Sequence, residues 1–260
     1  MMWTHEELSL PPRTRKPRAS GLTIVIDNGA PTRYLEDVIA SASDQIDMVK
    51  FGWGTALVTA DLESKIASLR AHGVEYYFGG TLFEKYYSQG KVDAFRALCL
   101  RHGCRVVEIS DGTIEVSKSE KARCISQFAR DFTVLSEVGY KDSERSQHLH
   151  PARWIEYMRA DLEHGAQYVI TEARESGTSG ICRPDGELRF GLIEEILASD
   201  VRANRIIFEA PNKSLQTYFI KRVGPDVNLA NIALSDPIAL ETLRLGLRSD
   251  TLLALDAYIS

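Results

Sequence analysis

Apolar residues fall along this chain in short runs of four to six, and each run stops abruptly at glycine, a hydroxyl or a charge. The first is Leu22-Thr-Ile-Val-Ile-Asp27, which runs into Asn28-Gly29. Runs follow at 46–51, 74–78, 105–109, 132–135, 168–170, 205–208 and 227–231. Both alternate positions of these runs are apolar, the pattern of strands covered on two faces. Between them lie stretches of helical periodicity, predicted at 34–43 (capped by Thr32), 62–71, 92–101, 118–130, 151–164, 192–198, 215–222 and 237–245. Gly73, Gly103, Gly165 and Gly224 stand where several of these helices stop, the usual C-terminal signal. Strands alternating with such helices are βαβ units and make a parallel sheet.

Eight units at a mean period of roughly 29 residues have the size and count of a (β/α)8 barrel. We therefore expect an α/β fold, a single (β/α)8 TIM barrel over residues 21–260. An open doubly wound sheet is the runner-up, weakened because no G-x-G-x-x-G follows the first strand. Residues 1–20 carry Pro11, Pro12 and Pro17 with Arg13, Arg15, Lys16 and Arg18 and show no helical pattern. They are read as an extended N-terminal arm, ordered only by packing on the body.

A barrel turns this reading into a map, because the C-terminal ends of its strands converge on one face and active sites lie there. The residues at those ends are Asp27, Lys50, Gly79-Gly80, Glu108 with Asp111, Glu137, Glu172 with Arg174, Glu209 and Asn231. Five of the eight strands thus bring a carboxylate to one mouth. Like charges so close need a compensating cation, and an all-oxygen donor set without Cys or His suits Mg²⁺. Lys50, Lys141 and Arg174 add positive charge, as an anionic substrate requires. Lys50 sits in the otherwise apolar Met48-Val-Lys-Phe51, so its ammonium must find a partner or the mouth. Trp53, Tyr76 and Tyr77 read as packing residues, the histidines as helix-end or surface groups, and Asp142 to Arg145 as a solvated loop.

Composition narrows the class. The chain has 260 residues, 44% hydrophobic and 26% charged, ordinary values for a soluble globular protein. A formal net charge of −5 gives no reason to expect nucleic acid or an anionic membrane as partner. No run of about 18 apolar residues spans a membrane, and no secretory signal pattern opens the chain, so a cytoplasmic setting is expected. Cys99, Cys104, Cys124 and Cys182 lack C-x-x-C spacing and read as reduced thiols. Self-association through outer helices, as in many barrels, is expected to give a homo-oligomer.

Several segments together are similar to one family. Lys16-Pro-Arg18, Val25-Ile-Asp27, Val49-Lys-Phe-Gly-Trp-Gly-Thr55, Gly79-Gly-Thr-Leu-Phe-Glu84, Glu108-Ile-Ser-Asp-Gly112, Ser136-Glu-Val-Gly139, 172–177, Glu209-Ala-Pro211, Asn228-Leu-Ala-Asn-Ile232 and Gly246 to Thr251 resemble the phosphosulfolactate synthases of coenzyme M biosynthesis. The resemblance runs in order over about residues 16–251. It implies a Mg²⁺-dependent barrel lyase that adds sulfite to phosphoenolpyruvate and gives (2R)-phospho-3-sulfolactate. Lys50 or Lys141 would be the general acid, its pKa lowered by burial and cationic neighbours, and Arg174 an anion clamp. Metal contacts are expected from Glu108, Glu137, Glu172 and Glu209. Substrate contacts are expected from Asp27, Thr55, Lys213 and Asn231, and from Ser176 and Gly177, whose loop to Gly180 would offer backbone N–H donors. Asn28 and Tyr140 stand where this family usually has lysines. A paralogue using another nucleophile, a Schiff-base aldolase and a non-catalytic barrel of stress tolerance are the alternatives.

Overall fold

A computed structural model describes residues 8–174 and 176–259, apart from the side chain of Ser143; the first seven residues of the expected arm, Glu175 and Ser260 lie outside the described residues. Eight strands form one parallel sheet: β1 Thr23–Asp27, β2 Met48–Phe51, β3 Glu75–Phe78, β4 Val106–Ile109, β5 Thr133–Val138, β6 Tyr168–Thr171, β7 Ile206–Glu209 and β8 Asn228–Ala233. Their lateral order is β3-β2-β1-β8-β7-β6-β5-β4. The two end strands, β3 and β4, are neighbours in space, so the sheet curls into a nearly closed barrel. Across that seam the Gly80 amide donates to Glu108 Oε1 at 2.5 Å. The expected (β/α)8 barrel is therefore present.

Helices lie between the strands: α1 Thr32–Ala42, α2 Leu62–Ala71, α3 Gly80–Tyr87, α4 Val92–Arg101, α5 Lys118–Phe128, α6 Ser143–His148, α7 Pro151–Glu163, α8 Phe190–Leu197, α9 Lys213–Val223 and α10 Pro237–Arg244. Two were not expected. α3 begins directly on a glycine pair read as a strand terminus, yet it buries Leu82 and Phe83. α6 occupies the segment read as solvated loop; the Asp142 carboxylate accepts from the Arg145 amide at 2.8 Å and caps it. Thr32 does not cap α1 either; Pro31 holds the cap position and Thr32 is the first helical residue.

Strand alternation decides which residues reach the site. Side chains of Leu22, Ile24, Met48, Tyr77, Val106, Leu135, Tyr168, Ile170, Ile207 and Ala230 fill the barrel interior. Val25, Val49, Phe51, Val107, Val134, Val169 and Phe208 pack outward against the helices. Successive strand residues point to opposite faces. Lys50, Glu108, Glu137, Glu172 and Glu209 each lie two positions beyond an interior residue, and so they rise above the interior core at the mouth. Asp27 shares the parity of Val25 and faces outward.

The opposite end is closed by the arm. Arg13 pairs with Asp226 and reaches Glu241 at 2.9 Å, and Arg18 meets Asp47 at 2.9 Å. Lys16 donates to the carbonyls of Ser43 and Ile46 at 2.9 and 2.6 Å. Beside them Arg244, fully buried, donates to the Pro225 and Val227 carbonyls at 2.6 and 2.7 Å. The described part of the arm is thus ordered by the body, as expected. All four cysteines are free and buried.

Candidate active site at the strand C-termini

Lys50 is the centre of the floor. Its ammonium lies 3.1 Å from Glu108 Oε2 and 3.5 Å from Glu209 Oε1, with all three side chains buried. Burial alone draws a lysine pKa down, but Glu108 and Glu209 more than reverse it, and Lys50 sits well above its ordinary value. This corrects the expectation of a lysine lowered by cationic neighbours: the neighbours are anions, and Lys50 is charged throughout the neutral range. The outer oxygens of its partners are also held. Glu209 Oε2 accepts from the Ala173 amide at 2.8 Å, and Glu108 Oε1 takes the Gly80 amide noted above.

Glu137 and Glu172 form the second half of the floor. Glu172 Oε1 accepts from the Arg174 amide at 2.7 Å. Glu172 Oε2 and both Glu137 oxygens are buried and find no hydrogen-bond donor elsewhere in the protein; the two carboxyls lean on each other, so that a proton on one is shared with the other. Burial, then Glu137 and Glu209, push the Glu172 carboxyl well above its usual range. Glu137 is also raised by burial, but Lys141 and Lys50 outweigh this and hold it below. Of the two coupled carboxyls, Glu172 is therefore the one that favours its protonated form.

Above this floor is a cavity of about 700 Å³ lined by Trp53, Thr81, Gly112, Thr113, Lys141, Asp142, Glu144 and Arg174. Lys141 enters it, donating to Thr81 Oγ1 at 3.0 Å, with Glu84 and Glu137 each 3.7 Å away. Burial lowers its pKa, but Glu137, Glu172 and Glu84 raise it further, so it too ends above the ordinary value. Arg174 stands at the rim, exposed and in a left-handed conformation (φ 58°). Thus Lys50, Lys141, Arg174, Glu108, Glu137, Glu172 and Glu209 are brought to one mouth.

Other expected residues are placed elsewhere. Asp27 lies behind the sheet, bound to Lys65 of α2 at 2.5 Å and to the Gly29 and Ala30 amides at 2.9 and 2.8 Å. Asp111 is likewise consumed, by Lys118 at 2.7 Å and Lys121 at 3.0 Å. After burial, which raises it, Lys121 and Lys118 dominate and depress its carboxyl. Thr55 turns its hydroxyl back to the Gly52 carbonyl at 2.9 Å. Lys213 is an exposed partner of Asp250 at 2.9 Å. Ser176 is exposed and shares a 2.7 Å hydrogen bond with Thr178.

Of the glycines after β6, Gly177 does not present a free amide. The Gly177 amide is spent on the Arg174 carbonyl at 3.2 Å. Gly180 has another task. At φ 61° a Cβ there would overlap the Glu172 carbonyl oxygen, and the Ile181 amide donates to that same oxygen at 2.9 Å. The loop folds back tightly onto Glu172. Gly180→Ala is therefore expected to displace Glu172 and cost at least about 2 kcal/mol of stability; a denaturant titration checks it. Asn231 does face the mouth. Its left-handed backbone (φ 57°) breaks the alternation of β8, and it lines a side cavity with Asn28, Tyr34 and Ser235.

The donor set was tested against a divalent cation. No three acidic, His or Cys side chains among the described residues converge to enclose a metal ion, so an all-protein cage is not present. Mg²⁺ does not require one, since it keeps waters and is held through one or two carboxylates plus substrate oxygens. The three orphaned oxygens of Glu137 and Glu172 fit that mode. Glu108 and Glu209 are committed to Lys50.

Two further polar residues belong to the site. Tyr77, read as packing, does pack in the barrel interior, and its buried hydroxyl sits against Glu108 and Lys50. Glu84, on the unexpected α3, accepts from Ser110 Oγ at 2.5 Å and from the Thr113 amide at 2.9 Å. It fixes the loop after β4 beside Lys141. Strand parity would have found Tyr77, which pairs with Lys50 in register; nothing in the spacing marked Glu84 beyond its place in the family-like segment.

Fold and mouth together define a (β/α)8-barrel enzyme whose chemistry sits at the strand C-termini. The chain belongs to the (2R)-phospho-3-sulfolactate synthase (ComA) family, whose model it matches over residues 11–250. It is 57% identical over 244 residues to the phosphosulfolactate synthase of Bacillus subtilis (strain 168), covering 94% of this chain and 97% of that one. It is 45% identical over 236 residues to the phosphosulfolactate synthase of Methanocaldococcus jannaschii, covering 89% and 93%. Among solved structures a 3-hexulose-6-phosphate synthase superposes with a TM-score of 0.56 at 16% identity, covering 92% of this chain and 99% of that one. That last likeness concerns the fold alone.

Proposed function

We infer that the protein is a phosphosulfolactate synthase, a lyase forming (2R)-phospho-3-sulfolactate, and we propose that it does so by adding sulfite to phosphoenolpyruvate with Mg²⁺. Family membership over almost the whole chain carries the reaction. The observation that carries the chemistry is the pair of partly orphaned carboxylates, Glu137 and Glu172, below a cavity entered by Lys141 and Arg174.

In the proposed reaction the sulfite sulfur forms a bond to the methylene carbon of phosphoenolpyruvate. The π pair moves toward the carboxylate, and the carbon bearing phosphate then takes a proton. Mg²⁺, when bound by Glu137 and Glu172, supplies Lewis-acid stabilisation of the charge that develops on the carboxylate oxygens. Lys141 is assigned the proton transfer because it alone of the two lysines lines the cavity. The anions that raise its pKa include Glu137 and Glu172; neutralising them moves Lys141 back toward a value suited to an acid. Lys50, locked between Glu108 and Glu209, offsets part of the negative charge of the floor. Arg174 is assigned a phosphate or sulfonate, which its planar fork matches bidentately.

The same reading makes the partners small anions, with neither nucleic acid nor membrane involved. No helix among the described residues is long and apolar enough to cross a membrane. A cytoplasmic homo-oligomer remains part of the proposal; Leu252 and Leu253 beyond α10 are exposed and offer apolar surface for association. The reaction is tested by incubating the protein with phosphoenolpyruvate, sulfite and Mg²⁺ and following product by mass spectrometry. Sulfite-dependent phosphosulfolactate is expected; absence of product at any Mg²⁺ concentration contradicts the assignment.

A further inference from the structure

Only three non-glycine residues among those described have left-handed backbones: Trp53, Arg174 and Asn231. All three stand at the mouth, after β2, after β6 and within β8. Left-handed backbone is a marked outlier for a bulky side chain, and such strain gathers where a site requires a particular geometry. Arg174 and Asn231 were already candidates on chemical grounds. Trp53 was not, and it is the most strained choice of the three, because an indole has no local hydrogen bond to offer a left-handed backbone in the way Asn does.

The surroundings of Trp53 rule out a loosely held loop. Phe51 and Ala56 on either side are buried. A Cβ at Gly52 would stand 2.9 Å from Ile26 Cδ1, so the turn is pressed against β1. The Thr55 hydroxyl ties the turn to the Gly52 carbonyl. Between these anchors the Trp53 side chain is 54% exposed and lines the cavity together with Lys141, Thr81 and Arg174. Trp154, by contrast, is fully buried. A fixed turn thus holds a large apolar side chain, at the expense of backbone strain, with about half its surface in the open.

We propose that Trp53 is a substrate-contacting residue of the mouth. Its ring forms the apolar wall against which the three-carbon unit of the bound anion lies, excluding water from the carbon that accepts the proton, and its indole N–H is available to an anionic oxygen. It touches no reacting atom through its own chemistry; its role is recognition and shielding. This rests on the reaction proposed above, and the test separates the two.

The measurement is indole fluorescence of the full-length protein, with Mg²⁺ present, titrated with phosphoenolpyruvate, with sulfite and with inorganic phosphate. Phosphoenolpyruvate is expected to change the emission of the wild type and leave Trp53→Phe silent. Trp53→Gly is the second variant. Glycine accepts the left-handed turn without strain, so its thermal midpoint is expected to match or exceed that of the wild type, while KM for phosphoenolpyruvate rises about tenfold, a usual magnitude for loss of one aromatic contact. Trp53→Phe should recover much of that loss. A fall of the Trp53→Gly midpoint with unchanged KM makes Trp53 a packing residue and overturns the proposal. So does a phosphoenolpyruvate response that persists in Trp53→Phe. A wild type that shows the Trp53 response but no sulfite-dependent turnover contradicts the reaction and leaves the contact standing.

Discussion

Lys50→Met is expected to be the most damaging single substitution in this protein. It removes the ammonium from between two buried carboxylates, Glu108 at 3.1 Å and Glu209 at 3.5 Å. Removing one partner of a buried ion cluster leaves uncompensated charge and costs about 3–5 kcal/mol, a large share of a domain's net stability of about 5–15 kcal/mol. Activity is expected to fall at least about 100-fold, because the floor on which the substrate rests must either take up protons or open to water. Loss of folding and loss of chemistry are separable. Lys50→Met combined with Glu108→Gln and Glu209→Gln removes the stranded charges, so chemical denaturation should show most of the stability restored while activity stays low. If the triple variant is no more stable than Lys50→Met alone, charge compensation is not what Lys50 provides.

Glu172→Gln is expected to have opposite effects on stability and on activity. The Glu172 carboxyl is held well above its ordinary pKa by burial, Glu137 and Glu209. The folded metal-free protein therefore keeps a proton that the unfolded chain has already released above about pH 4.3. Stability falls wherever the native state binds the extra proton, as pH rises from that value through the raised folded one. Glutamine carries no such proton. In chelator, Glu172→Gln should match or exceed the wild type in thermal midpoint, and its advantage should grow as pH rises through that window. With Mg²⁺ the order should reverse, since the wild type gains stability from a ligand that only the folded state binds, and turnover should fall at least about 100-fold. Wild-type Mg²⁺ binding should also release protons, because the Glu172 carboxyl must ionise to bind. A variant that is less stable in chelator at neutral pH contradicts the assignment of the shared proton.

How far the sequence foretold this site depends on strand parity. The mouth ends of β2, β4, β5, β6 and β7 were legible because a charge interrupting or ending an apolar run has one comfortable exit, the barrel mouth. Lys50, Glu137 and Glu209 are of this kind. Asp27 looked the same and is not, since both faces of a barrel strand are apolar and the one other polar residue of the run, Thr23, is a small side chain buried like its neighbours. Its neutralising partner, Lys65, lies on α2 in what reads as an ordinary amphipathic helix. Lys121 on α5 serves Asp111 and Asp161 in the same hidden way, at 3.0 Å from each. Buried ion pairs between strand ends and outer helices join residues far apart in sequence, and no spacing rule reports them. Glycine was misread for a related reason. The Gly177 amide, expected to face an anion, is bonded to the Arg174 carbonyl, and Gly177 and Gly180 allow the chain to approach the loop after β7 and Glu172.

In the described part of the arm, Arg13 and Arg18 are partners of acids at the closed end of the barrel, and Lys16 binds backbone carbonyls there. Asn28 and Tyr140, the two departures from the family's usual lysines, lie around the mouth without contributing charge. Asn28 opens the neutral side cavity shared with Asn231, and Tyr140 lies under the guanidinium of Arg145 at 4.3 Å. Lys141 and Arg174 are the cations that line the larger cavity, which favours anion binding there.

Glu137 and Glu172 are proposed to hold the cation on which sulfite addition depends. Calorimetric titration of Mg²⁺ into the protein saturated with phosphoenolpyruvate tests this most directly, comparing the wild type with Glu137→Gln/Glu172→Gln. One Mg²⁺ per chain is expected in the wild type and none in the double variant. Equal binding by both proteins, or no binding by the wild type, contradicts the account.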